Sequence, residues 1–377
     1  MKKILKLAIV LFSTFSLSLS AYAGELTVTG TAKATYDIQS SDSLASKNEL
    51  GKGLGITNEL TFAASGELDN GYTWTYSMAL DPGEVDAGTS ADNDDTSMTI
   101  GTPYGTIGLH ISAASINKQL AFSSAAYATG IDLGVGAIND PIGMSSFNSI
   151  QYTSPAGLIP FGTTFQIGYA PSADTGAASS GNSTGVAAAA VCTTTSGACF
   201  TPSAKAVTEY GLVTKPIDGL TVSASYVDTD SNYSNARSQA YEAGALNAKY
   251  AFGPVTVGYG RTLIQPYILG TGTSAGTDRV LYQTTDDWSV GYAVNENLSV
   301  SYEKSSSVQK MKQTSVVNVD TKSNDTQDSQ TIQAAYTMGG MTFAISQASV
   351  DGDGYTKEAG ASRVDVKETI FAITMAF

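Results

Sequence analysis

Residues Leu26 to Gln39 alternate without interruption. Leu26, Val28, Gly30, Ala32, Ala34, Tyr36 and Ile38 share one parity, and Thr27, Thr29, Thr31, Lys33, Thr35, Asp37 and Gln39 share the other. Side chains alternate across a strand, so this segment is a strand with one apolar and one polar face. The pattern recurs at Tyr72/Trp74/Tyr76/Met78/Leu80, Leu220/Val222/Ala224/Tyr226, Leu298/Val300/Tyr302 and Ile332/Ala334/Tyr336/Met338. The last instance is Phe371, Ile373, Met375 and Phe377 against Ala372, Thr374 and Ala376. In water such a strand is an exposed, adhesive edge; in a closed barrel standing in lipid it is one more stave.

The connections between strands alternate in length. Short ones at 67–71, 102–105, 155–162, 215–219, 252–254, 295–297 and 339–340 carry turn residues such as Asp69-Asn70-Gly71 and Gly339-Gly340. Longer polar ones are expected at about 39–54, 81–95, 112–148, 171–204, 228–241, 263–285, 304–329 and 347–362. Seven short and eight long connections predict sixteen strands, including less clearly patterned ones at 96–101, 149–154 and 280–293. An even count leaves both termini on the short-turn side. A soluble β-sandwich would crowd charge onto the polar face. Here that face favours Thr, Ser, Gly and Ala, and Tyr and Trp fall near strand ends, as in interfacial aromatic belts. The fold class is therefore all-β: a transmembrane antiparallel β-barrel with short periplasmic turns and long extracellular loops.

The N-terminus fits an exported protein. Lys2, Lys3 and Lys6 precede an apolar run from Leu7 to Leu19 and the small-residue site Ala21-Tyr22-Ala23. Residues 1–23 read as a signal peptide and 24–377 as the mature barrel. Loss of the three lysines takes the formal charge from −14 to −17. That balance excludes nucleic acid as a partner, because phosphate contacts need clustered Lys and Arg. In an exported chain Cys192 and Cys199 are a candidate disulfide closing a short loop.

With its signal peptide, the Gly24-to-Thr31 opening strand, sixteen strands and Phe377, the chain resembles the Gram-negative general porins. The resemblance implies a water-filled barrel of the cell outer membrane, usually trimeric, passing small hydrophilic solutes passively. It also implies that the terminal strand (Phe371, Ile373, Met375, Phe377) addresses the chain to the barrel-assembly machinery. Outer-membrane lipid and lipopolysaccharide would then be its surroundings. Independently, barrels of 16–18 strands enclose an aqueous channel. In the resemblance the loop after the fifth strand folds inward. Here that is 112–148, the longest connection and an apolar one, with Ile116, Leu120, Phe122, Met144 and Phe147, and such a loop must bury itself. Lys118, Asp132 and Asp140 are its charged candidates for a constriction. Lys33, Glu59, His110, Glu209 and Lys249 are the wall candidates. Facing charges set ion selectivity, and the acidic balance predicts a mild cation preference. A substrate-preferring channel and a non-conducting adhesive or structural barrel are the alternative readings.

Other motifs read as ordinary. His110 is the only histidine and is expected as a solvated wall residue, with no second His to complete a site. The acidic runs Asp92-Asn93-Asp94-Asp95 and Asp351-Gly352-Asp353 lack the spacing of a calcium loop and read as solvated loops. Gly272-Thr273-Ser274-Ala275-Gly276 fits G-x-S-x-G but lies in a Gly/Thr/Ser-rich loop without a nearby His. No enzyme, metal or cofactor is expected.

Overall fold

The computed structural model describes residues 26–41, 49–81, 92–130, 141, 143–171, 204–231, 237–239, 241–265, 268–269, 279–313, 321–357, 359 and 363–377. Its strands are β1 (Leu26–Ser41), β2 (Glu49–Glu67), β3 (Thr73–Asp81), β4 (Asp92–Thr102), β5 (Gly105–Ile111), β6 (Ser149–Thr153), β7 (Thr164–Ala170), β8 (Ala204–Thr214) and β9 (Leu220–Ser231). They continue with β10 (Arg237–Gln239), β11 (Glu242–Phe252), β12 (Val255–Gln265), β13 (Ile268–Leu269), β14 (Arg279–Ala293), β15 (Leu298–Gln313), β16 (Thr321–Met338), β17 (Met341–Asp351) and β18 (Asp365–Ala376). Sixteen of them form one closed antiparallel barrel, each beside its chain neighbour. The short strands β10 and β13 pair with each other in a separate ribbon, which the sequence pattern does not announce.

Closure joins the two ends of the described chain. β1 and β18 pair from Thr31↔Ala376 to Ser41↔Val366. Gly30 N–H donates to the Phe377 carbonyl at 2.7 Å, and Phe377 N–H donates to the Gly30 carbonyl at 3.0 Å. A Cβ on Gly30 would stand 2.5 Å from the Phe377 ring, so the missing side chain is the seat of the terminal aromatic. Above it Ile373 faces Ala34, Met375 faces Ala32 and Phe371 faces Tyr36, with ring centroids 6.4 Å apart. A closed ladder leaves no unpaired edge, the condition for strands in hydrocarbon.

The register turns the apolar parity outward. Leu54, Ile56, Trp288 and Ile332 are all more than half exposed on the outside, which in lipid is the correct place for them. All seven short turns fall where the turn residues place them. The strands reach further than the apolar pattern suggests. β15 and β16 pair continuously from Leu298↔Tyr336 to Gln313↔Thr321, so most of the expected loop at 304–329 is hairpin. Above the apolar band both faces become polar, and the backbone ladder continues without the periodicity that marks it. For the same reason Asp92–Asp95 lie in β4 rather than in a loop, with Asp92 opposite Asp81. Asp351 ends β17 and is held by Arg363 and Lys357, so it is ion-paired rather than simply solvated. The signal peptide, the Cys192–Cys199 loop and the G-x-S-x-G motif lie outside the described residues.

Candidate functional site

The loop after β5 lies inside the barrel. Its outgoing limb, residues 112–130, crosses the inner wall strand by strand. Gln151 on β6 donates to the Ala114 carbonyl at 2.8 Å. Lys118 N–H donates to Ser225 on β9 at 3.0 Å, and Asn247 on β11 donates to the Lys118 carbonyl at 2.6 Å. Ser124 N–H reaches Ser289 on β14 at 2.8 Å, and Ala126 N–H reaches Ser301 on β15 at 2.8 Å. Tyr127 and Ala128 N–H both donate to the Gln333 amide oxygen on β16. Among its described residues the loop carries short 3₁₀ turns at Gln119–Phe122 and Met144–Ser146. Buried backbone donors need partners, and here the wall side chains supply them.

The wall is shaped to receive the loop. Inward positions on β7, β8, β12 and β14 are glycine where the loop comes closest. A Cβ on Gly168 would stand 2.5 Å from Met144, one on Gly211 2.7 Å from Ile116, and one on Gly291 2.8 Å from the Ser124 carbonyl. At Gly258 it would overlap the Phe122 carbonyl outright. Beside this trough the inner wall turns apolar. Ile116, Met144 and Phe147 of the loop pack with Ala170, Val207, Val227, Tyr241, Ala243 and Ile264 in one buried cluster. The apolar loop residues thus find an apolar floor inside the lumen, which is where their hydrophobic burial free energy is realised.

Two buried carboxylates hold the two limbs. Glu209 on β8 accepts the Met144 N–H at 2.6 Å. Glu303 on β15 accepts the Gly130 N–H at 2.6 Å and the Ser123 hydroxyl. Both are almost fully buried, at 2% and 3% exposure. Each backbone bond satisfies a donor that a nearly dry site would otherwise leave orphaned. Lys118 sits near Glu209; burial pushes its ammonium below the usual lysine range, and the Glu209 charge partly restores it.

The sequence-selected charges therefore divide. Glu209 and Lys249 are wall residues as expected, but both are engaged by the loop: Lys249 donates to the Ser123 carbonyl at 3.2 Å. His110 is not a solvated wall residue. It is 9% exposed and its ring folds over Gly108, which lacks the side chain that would displace it. Asp132 and Asp140 lie outside the described residues. Lys33 and Glu59 stand on the inner face of β1 and β2, away from the loop, with Lys33 opposite Thr57 and Glu59 opposite Thr31. Glu303 was not selected from sequence, because it lies beyond the apolar run of β15; its odd parity was the available signal.

The inner face of β1–β3 is the uncovered part. Thr27, Thr29, Thr31, Thr57, Glu59, Thr73 and Thr75 are exposed there, whereas Ser225, Asn247, Ser289 and Ser301 opposite are buried under the loop. The described residues of the loop thus lie on one side of the lumen, and the threonine-lined side is exposed.

A family model described as Gram-negative porin matches residues 7–307. No curated protein matches in sequence. Among solved structures, OmpF from Salmonella typhi in complex with daunomycin is similar at 12% identity and a TM-score of 0.62, covering 94% of this chain and 98% of that one. An anion-selective porin from Comamonas acidovorans is similar at 13% identity and a TM-score of 0.59, covering 94% and 100%. A loop-deletion variant of the outer membrane protein OmpT from Vibrio cholerae is similar at 9% identity and a TM-score of 0.58, with the same coverage.

Proposed function

The chain belongs to the Gram-negative porin family, and from that premise we propose that it passes small hydrophilic solutes and ions by passive diffusion along the threonine-lined side of its lumen, with a modest cation preference. The family and fold are those of multi-pass outer-membrane β-barrel channels, not of enzymes. The observation that carries the proposal is the asymmetric lumen: a loop seated on one wall, the other wall polar and exposed. Water-filled lumens are the rule at this strand number.

The preference follows from the charges on each side. Glu59 and Asp37 face the lumen from the open wall, with Lys33 between them along β1 and β2. Glu209, Asp287, Glu303 and Glu368 stand buried on the inner wall behind them, and among the described residues Lys33, Lys118 and Lys249 are cations on the lumen side. Fields from such groups bias which ion enters. Asp132 and Asp140 belong to the same loop and remain part of this reading.

We read the assembled form as a homotrimer joined through the first strands. Ala32 and Ala34 make the outer face of β1 low above Gly30, whose space the Phe377 ring fills, and on β2 Leu54 is 85% exposed beside it. Small residues permit close approach of membrane elements.

Refolded mature protein in a planar bilayer under a salt gradient tests the channel and its preference together. Discrete ohmic steps with a cation-directed reversal potential are expected. Glu59→Gln should move that potential toward zero and Lys33→Gln away from it. An anion-directed potential would refute the preference, and insertion without any conductance would refute the channel.

A further inference from the structure

Between the loop and the covered wall, several polar side chains are buried with hydrogen-bonding atoms to spare. The turn at Gln119–Phe122 packs on β11, β12 and β14. Among the described residues, neither amide atom of Gln119 has a hydrogen-bond partner. The same holds for Asn247 Oδ1 on β11 and Thr262 Oγ1 on β12. All three residues are at most 2% exposed. An unpaired polar group in a dry site is costly, so three beneath one turn imply a ligand that joins them.

Register brings these groups together around Gly260. Asn247, Gly260 and Asp287 form one inward row across β11, β12 and β14. The Asn247 amide nitrogen donates to the Lys118 carbonyl at 2.6 Å, and its Oδ1 lies on the other side, over Gly260. A Cβ on Gly260 would stand 2.4 Å from that oxygen and 3.0 Å from the Phe122 ring. Thr262 is the next inward residue on β12, and Gln119 directly follows the held Lys118. Asp287, opposite Gly260, is 0% exposed. Phe122, buried as completely, closes the space from the loop side.

We propose that a dehydrated sodium ion binds here, held by the Asp287 carboxylate, Asn247 Oδ1, Thr262 Oγ1 and Gln119 Oε1, and that it pins the loop to three wall strands. Hard cations take carboxylate, amide and hydroxyl oxygens as ligands. Charge selects a monovalent ion. The ligand set carries one carboxylate, so sodium leaves it neutral, whereas a divalent ion would leave a net charge in a dry site. The neighbouring row contributes Lys249 and Glu303, whose charges oppose each other. Size selects a small ion, because the space is that of one absent side chain beside a phenyl ring. Gln119 is the loop's own ligand, so occupancy and seating of the loop are coupled. The inference needs the barrel and the seated loop, not the channel reading.

The test is hydrogen exchange of the refolded mature barrel in detergent, in sodium chloride, caesium chloride and N-methylglucamine chloride at equal ionic strength. The amides of 118–124 should exchange about fivefold more slowly in sodium, the factor for a site occupied four-fifths of the time, while the β1–β2 ladder stays unchanged. Asp287→Asn and Thr262→Val should each abolish the sodium effect, and Asp228→Asn, an outer-face carboxylate on β9, should keep it. Thr262→Val preserves the shape of the side chain, so it decides the matter if Asp287→Asn does not refold. Discrete single-channel steps from each variant would show an intact barrel, which separates a failure here from a failure of the porin reading. Equal exchange in sodium and N-methylglucamine salts would overturn the proposal and leave the buried groups to water. Equal slowing by caesium, or a sodium effect that survives Thr262→Val, would also overturn it. Slowing by calcium chloride and not by sodium would refute the charge argument and with it the assignment.

Discussion

The two sides of this lumen have the same backbone and opposite environments. On the covered side, from β6 to β16, most inward residues are buried, and loop donors at Lys118, Ser124 and Ala126 meet wall acceptors. On the open side, from β1 to β3, threonines and Glu59 face water. The covered wall is packed like a protein interior, where volume and hydrogen-bond satisfaction decide the outcome. The open wall is a solvated surface, where charge matters and packing does not. A polar side chain at a lumen position therefore has no fixed role. Glu303 and Glu59 share a parity and a chemistry; one positions the loop and the other is available to a passing ion.

The largest expected effect comes from filling the trough. Gly258→Leu places a side chain where the Phe122 carbonyl lies, so the loop must leave its seat. Overpacking a close contact costs about 1–3 kcal/mol or more, and the displaced limb has only the lumen to enter. Single-channel steps should become heterogeneous, with a conductance about twofold or more away from that of the parent, because the obstruction to flow is the loop itself. Thr57→Leu, the matched change on the open wall, should keep one discrete step. Equal behaviour of the two variants would remove the distinction between the walls.

Removing a carboxylate from each side should separate stability from selectivity. Glu303→Ala leaves the Gly130 N–H and the Ser123 hydroxyl without their acceptor in a nearly dry site, at about 1–3 kcal/mol for each orphaned donor. Glu59→Ala should cost less than about 0.5 kcal/mol, as an exposed site with no structural partner to lose beyond Thr61. Thermal or denaturant unfolding of the refolded barrel checks the first half. Reversal potentials check the second, and there Glu59→Ala should show the larger shift. A Glu303→Ala barrel as stable as the parent would end the clamp reading of Glu303.

Much of the fold was legible because a barrel wall repeats one rule. Period-2 alternation and seven short turns placed the strands, since each strand separates lipid from lumen and each short turn needs particular residues. The rule stops where lipid stops: β15 and β16 continue past Lys304 and Gln330 with both faces polar, and nothing in a single strand marks that continuation. The loop's destination was legible from Ile116, Phe122, Met144 and Phe147, which water would not accommodate. Its seat was not, because Gly168, Gly211, Gly258 and Gly291 acquire meaning only when strand register sets them under the loop. The same is true of Glu209 and His110. Parity places both on the inner face, and only the third dimension shows that neither meets open water.

The smallest expected effect lies at the outer mouth, where a second connection also docks on the covered side. Tyr355 sits in the left-handed region at φ 62°, and its hydroxyl is 2.9 Å from that of Ser307 on the inner face of β15. Gly354 N–H donates to Gln327 on β16 at 3.0 Å. Burial pushes the Tyr355 phenol up to about 12. Because the docked state holds the neutral phenol, its contribution is fully present below the ordinary tyrosine value near 10 and is lost as pH rises from there through about 12. Tyr355→Phe should remove one hydroxyl from the highest part of the tyrosinate absorbance titration. It should also cost about 1 kcal/mol of docking, the usual net value of one hydrogen bond. At neutral pH the amides of 352–357 should then exchange about fivefold faster, while those of the β15–β16 ladder stay unchanged, because exchange reports local opening. Ser307→Ala should accelerate the same amides by a similar factor if the bond is what holds the segment. If Tyr355→Phe and Ser307→Ala are both silent, ring burial rather than the hydroxyl secures the connection, and the covered wall would hold its two loops by different means: the first by hydrogen-bonded carboxyl groups, the second by packing.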